Sequence, residues 1–127
     1  MSRSLPYQYV VLRCVPRVQR EEFLNVGLVL HCQEAGVLAA AHDVDPARLL
    51  ALDPGLDVAA LGAALRVVDE VCAGLEGGGR PSLGRDGARF GWLSAPRSTI
   101  LQPGPVHGGV CEDPRVELAR LLGELVG

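Results

Sequence analysis

Only four residues, Gln33 to Gly36, separate the apolar runs NVGLVLHC at 25–32 and VLAAAH at 37–42. A connection that short has no room for a crossover helix, so the two runs must lie side by side as antiparallel strands. A third run, YQYVVLRCV at 7–15, is rich in β-branched and aromatic residues and is stopped by Pro16. With a period of two, Tyr7, Tyr9, Val11, Arg13 and Val15 share one side of this strand, and Gln8, Val10, Leu12 and Cys14 the other. Arg13 is therefore a charge inside a strand. The same period puts Val26, Leu28, Leu30 and Cys32 on one face of the second strand, and Asn25, Gly27, Val29 and His31 on the other. Gly27 weakens that strand unless another group must come close there. The intervening PRVQREEF reads as one helical turn.

Beyond residue 42 the pattern changes. Asp45-Pro46 is an N-cap followed by proline at the first helical position, opening a short helix to about Leu52. Asp57 caps a longer helix, with Leu56 and Leu61 placed as a hydrophobic staple and Leu61, Leu65, Val68, Cys72 and Leu75 stepping along one face. GGGRPSLGRDGA at 77–88 is a flexible loop by composition, and ARFGWLSAP resumes order. Strands are predicted at Ser98–Gln102 and Val106–Cys111, hinged by Pro103-Gly104-Pro105. Asp113-Pro114 then starts a terminal helix striped by Leu118, Leu121, Leu122 and Leu125. This order predicts an α+β fold: a mainly antiparallel sheet of about five strands, with one long helix packed on it and a C-terminal helix. Alternating strand and helix units, which a doubly wound nucleotide fold needs, are absent.

The 127 residues suit a single domain, residues 1–127, and 48 % hydrophobic content suffices for a core. No apolar run approaches the roughly 20 residues that cross a bilayer, and MSRSLPYQY lacks the apolar stretch of a signal peptide. The expectation is a cytoplasmic protein with no membrane association. Cys14, Cys32, Cys72 and Cys111 lie far apart in apolar surroundings and read as buried free thiols. His31, Cys32, His42, His107 and Cys111 contain donor types for a metal but no CxxC or HxxxH spacing, so neither a metal nor another cofactor is assigned. A net charge of -3 makes nucleic acid an unlikely partner. All 12 basic residues are nonetheless arginine, whose planar fork suits phosphate and carboxylate.

Polar residues concentrate late, in RSTILQPGPVHGG at 97–109. Arg13, Asn25, Arg89, Arg97, Ser98 and His107 are the candidate ligand-binding residues, converging on one cleft. A purely structural account also stands: Arg13 pairs with Glu21 or Glu22, Asn25 and Asp113 satisfy turn and cap positions, and His107 bonds backbone in a tight loop. Ser98 and His107 have no GxSxG elbow, GLEGGGRPS lacks the GK[ST] of a Walker loop, and adjacent Glu21 and Glu22 do not share a face as a two-metal nuclease would require.

Taken together, RCVPRVQREEFLNVGLVL and RFGWLSAPRSTILQPGPVHGGVCEDPRVEL resemble the bacterial domain-of-unknown-function family 3037 over nearly the whole chain. The matching positions are Arg13, Glu21, Glu22, Asn25, Gly27, Arg89, Phe90, Trp92, Arg97, Ser98, Thr99, His107, Gly109, Asp113 and Pro114. Gly104 stands where the family pattern has serine. The resemblance implies no activity, but it does imply an association with HipA-like kinases. The expectation is thus a non-enzymatic accessory domain that recognises a protein partner, such as a HipA-like kinase, or a small anionic ligand through an Arg/Asn/His cleft. The alternative is an enzyme acting on phosphate esters or nucleic acid, with His107 as acid/base and Arg13, Arg89 and Arg97 holding phosphate.

Overall fold

The computed structural model describes residues 3–127. Its sheet is built around β1 (Leu5–Cys14), which pairs antiparallel with β2 (Leu24–Cys32), while β3 (Val37–His42) closes the far side of β2. The other side of β1 is shared by two short strands. β4 (Leu101–Pro103) lies against Cys14 to Leu12, and β5 (His107–Cys111) against Tyr9 to Leu5. Between them Pro103 and Pro105 have no N–H to give the ladder, and only Gly104 donates, to the Val11 carbonyl at 2.8 Å. The five strands therefore form four positions in the sheet, with a hinged outer edge. The strand expected from Ser98 shortens to Leu101–Pro103. Thr99 Oγ1 donates to the Leu101 carbonyl at 2.7 Å and Gln102 to the Thr99 carbonyl at 3.0 Å, folding the preceding residues into a turn.

Three helices begin where the Asp signals lie: Asp45 caps α1 (Pro46–Leu52), Asp57 caps α2 (Val58–Cys72) and Asp113 caps α4 (Pro114–Leu125). The α2 stripe stops short of Leu75. Gly74, at φ +79, lets its own N–H reach the Val71 carbonyl and that of Leu75 reach Glu70, both at 3.0 Å, which is a Schellman ending. Leu75 is left half-exposed. The loop expected over 77–88 ends early, because α3 (Asp86–Ser94) starts inside it, and Arg80 fastens it to α2 by donating to Glu70 at 3.0 Å.

The sheet separates two apolar clusters. On one face Val10, Leu12, Cys14 and Val29 meet Leu49 of α1, Leu61, Leu65 and Val68 of α2, and Phe90 and Leu93 of α3. On the other, Leu5, Tyr7, Leu28, Leu30 and Cys32 meet Leu118 and Leu121 of α4. Val26 breaks the expected alternation of β2. The register passes from Leu12↔Gly27 to Arg13↔Asn25, so Val26 is the extra residue of a β-bulge and turns to the α2 side instead of sharing a face with Leu28. Gly27 is explained by β3: a Cβ there would stand 2.6 Å from the Ala41 carbonyl oxygen. Of the four free thiols, Cys14 and Cys32 are buried and Cys72 and Cys111 half-buried. Among the described residues no helix is long and apolar enough to cross a membrane.

Candidate functional site

Arg13 sits near the end of β1 with Asn25 beside it on β2 and Gln102 beside it on β4. Strand alternation sends Leu12 and Cys14 to the α2 side, so Arg13 faces the side that carries α4. Its guanidinium carbon stands 4.2 Å from the centre of the Phe23 ring, which is itself 41 % exposed. Neither expected carboxylate takes the charge. Glu22 pairs with Arg20 at 2.5 Å, and no ion pair among the described residues includes Arg13. Nε is sealed without a hydrogen-bond partner, whereas the two Nη groups are not among the sealed atoms. The unspent, outward edge of the fork is the one that binds carboxylate or phosphate bidentately. Gly104 keeps the space beside it open, since a Cβ there would lie 3.2 Å from Nε, Cζ and Nη2.

His107 joins the same side of the sheet through its pairing with Tyr9, with the two rings tilted at 5.3 Å between centroids. It is exposed, and no hydrogen bond to another described residue holds its ring. Because α4 lies mainly over β3 and β2, the β1–β5 part of this face is left as an open strip running from His107 and Tyr9 to Arg13 and Phe23. Asn25 belongs to the border of the strip: its Nδ2 donates to the Leu125 carbonyl at 3.2 Å, satisfying an orphan acceptor at the end of α4.

Arg89 and Arg97 work at opposite ends of α3. Arg89 donates to the Gly84 carbonyl at 2.6 Å and pairs with Asp86. Arg97 lies over the Trp92 ring at 4.5 Å and bonds the carbonyls of Ala95 and Trp92, closing the helix C-terminus. Burial lowers its pKa from the ordinary guanidinium value. None of these contacts reaches Arg13, Asn25 or His107. Ser98 is exposed in the turn between α3 and β4. The structure thus brings Arg13, Asn25 and His107 to one face and leaves Arg89, Arg97 and Ser98 with α3. Phe23 and Tyr9 were not singled out by sequence; for Tyr9 the signal was its place on Arg13's side of β1, and for Phe23 its being an aromatic ring in an otherwise polar turn.

The potential metal donors are dispersed. Gly87 approaches His31 on the α3 side of β2, Cys32 lies on the α4 side, and His42 bonds Asp69 at 2.9 Å. Among the described residues no three His, Cys, Asp or Glu side chains gather as metal ligands. At the far end of the Arg13 face, Tyr7 donates to Glu117 of α4 at 2.5 Å, and Arg120 donates to the same carboxylate at 2.7 Å. Those two bonds, Arg120's first, hold the Glu117 carboxyl at about 2, while burial and then the bond to Glu117 push the Tyr7 phenol up to about 12.

The family model described as Protein of unknown function (DUF3037) matches residues 9–126. No curated protein and no solved structure matches the chain.

Proposed function

The chain belongs to the DUF3037 family, and on that premise we propose that it is a non-enzymatic binding domain whose partner docks on the open strip formed by Arg13, Phe23, Tyr9 and His107. One observation carries this reading: Arg13 is a partly buried guanidinium with no counter-charge among the described residues, stacked on an exposed aromatic ring. A partly buried charge ordinarily keeps a partner, and losing it is costly. An anionic group brought by another molecule supplies one. Arginine and aromatic side chains are the residues that dominate protein interfaces, which favours a protein surface over a small ligand. The docking segment is therefore acidic or phosphorylated, with its carboxylate or phosphate on Arg13. A HipA-like kinase, the partner implied by the family resemblance, is the first to test.

The experiment is titration of such a kinase from the same genome with the wild-type protein and with Arg13→Glu and Phe23→Ala. Binding by the wild type, weakened about 30-fold or more by either substitution, is the expected result, since interface anchors of this type contribute about 2 kcal/mol or more. Equal binding by Arg13→Glu contradicts the reading.

A further inference from the structure

A second polar site lies on the opposite face, at the start of α3. The helix begins without a side-chain cap, its N-cap residue being Arg85. The amides of Asp86, Gly87 and Ala88 precede the first intrahelical bond, which is made by Arg89 N–H to the Arg85 carbonyl at 3.0 Å. They open on a cleft of about 420 Å³ lined by His31, Gln33, Arg85, Asp86, Gly87 and Ala88. His31 and Gln33 also line an adjoining cleft of about 620 Å³ with Gln8 and Pro6. His31 points to a ligand independently of the helix start. It is the polar residue of the buried set, 9 % exposed, and its ring is held by Phe90 at 5.4 Å between centroids rather than by a hydrogen bond to any described residue. Its nitrogens are not among the sealed, unpartnered atoms, so the unsatisfied edge of the ring communicates with the cleft. Its Cε1 edge faces Gly87, where a Cβ would stand 3.9 Å away.

We propose that this cleft binds the phosphate group of a small phosphorylated molecule. The free amides and the positive end of the helix dipole would receive the phosphate oxygens, as helix N-termini do, with Arg85 and His31 donating from the two sides. Arg85 makes no ion pair with a described residue that would compete. The nearest negative charges are already engaged: Asp86 pairs with Arg89, and Glu34, in the adjoining cleft, with Arg3 at 3.6 Å. Gly87 matters because the absence of a side chain lets an oxyanion reach the amides. The adjoining cleft has room for the organic part of the ligand.

The test is a titration of the isotope-labelled protein with inorganic phosphate, against chloride at matched ionic strength, followed by nuclear magnetic resonance. Saturable shifts centred on the Gly87 and Ala88 amides and the His31 ring are expected. Phosphate affinity should fall about tenfold or more in Arg85→Ala and His31→Phe. Because Gly87→Ala adds a methyl group where the structure has room, that variant should fold and melt at a higher temperature, yet also bind phosphate more weakly. Shifts that chloride reproduces, that centre on Arg13 and His107, or that persist at full affinity in the folded Gly87→Ala variant overturn the proposal. Arg13→Glu should leave phosphate binding unchanged and Arg85→Ala should leave kinase binding unchanged, so this site and the Arg13 strip stand or fall separately.

Discussion

Tyr7 and Arg13 lie on the same side of β1, yet their polar groups meet opposite fates. Tyr7 is 7 % exposed, and its hydroxyl ends on Glu117, which Arg120 also grips. Every group in that chain has a partner, and α4 covers it. Arg13 lies beyond the cover of α4, stacked on a ring that is itself exposed, and it makes no ion pair with a described residue. Arg80 and Arg89, whose Nε atoms are sealed in the same way, each pair with a carboxylate. A closed, fully paired network holds a helix on a sheet, whereas a guanidinium with no ion pair among the described residues is open to a counter-charge from outside. On the proposed reading, the contrast separates polar residues that support the fold from those that take a partner.

The most damaging test of this contrast is Gly109→Ala. A Cβ at that position would stand 2.6 Å from the Tyr7 hydroxyl oxygen and 2.7 Å from its ring carbon, so the ring must leave its place and its bond to Glu117 is lost. Overpacking and a lost charged hydrogen bond together predict destabilisation of about 3 kcal/mol in chemical denaturation. Tyr7→Phe removes the bond alone and should cost about 2 kcal/mol, without affecting binding by the Arg13 strip. In ultraviolet titration the Tyr7 phenol should ionise near 12, and in Glu117→Gln lower than that but still above 10, because burial is the larger cause.

Acid gives a smaller and graded effect. The Glu117 carboxyl is held at about 2, below its ordinary value of 4.5, so the folded state binds its proton less readily than the unfolded chain does. The stabilisation is present above the ordinary value and is lost as pH falls from about 4.5 through about 2. Wild-type protein should therefore lose more stability across that window than Glu117→Gln. An identical acid profile for the two would remove the closed half of the comparison.

Much of this arrangement was legible in the residues. Three Asp caps, the four-residue turn before Val37 and the alternation of β1 all act through local chemistry, and they specify the strands, the helix starts and the face on which Arg13 lies. The β2 bulge was not legible. Nothing in LNVGL marks Val26 as the extra residue; the register is set by Gly27 meeting the β3 backbone and Asn25 reaching α4, both non-local contacts. The six candidate residues divided for a similar reason. Arg89 and Arg97 share a polar neighbourhood in sequence with His107, but Arg89 lies in α3 and Arg97 caps its C-terminal end, and that helix packs against the opposite face. The cleft at His31 was hidden too, because GRDGA reads as loop although Asp86 already belongs to a helix.

Arg13 itself provides the most direct test, through two readings on one variant. Arg13→Ala loses a cation–π contact of about 0.5–1 kcal/mol but also removes a sealed donor without a partner, and these effects offset one another. Its stability should stay within about 0.5 kcal/mol of wild type, as for a residue outside the fold's polar network, while its affinity for the proposed HipA-like kinase partner falls about 30-fold or more. A variant that loses stability like Tyr7→Phe, or that keeps wild-type affinity, would show that Arg13 belongs to the fold and contradict the account.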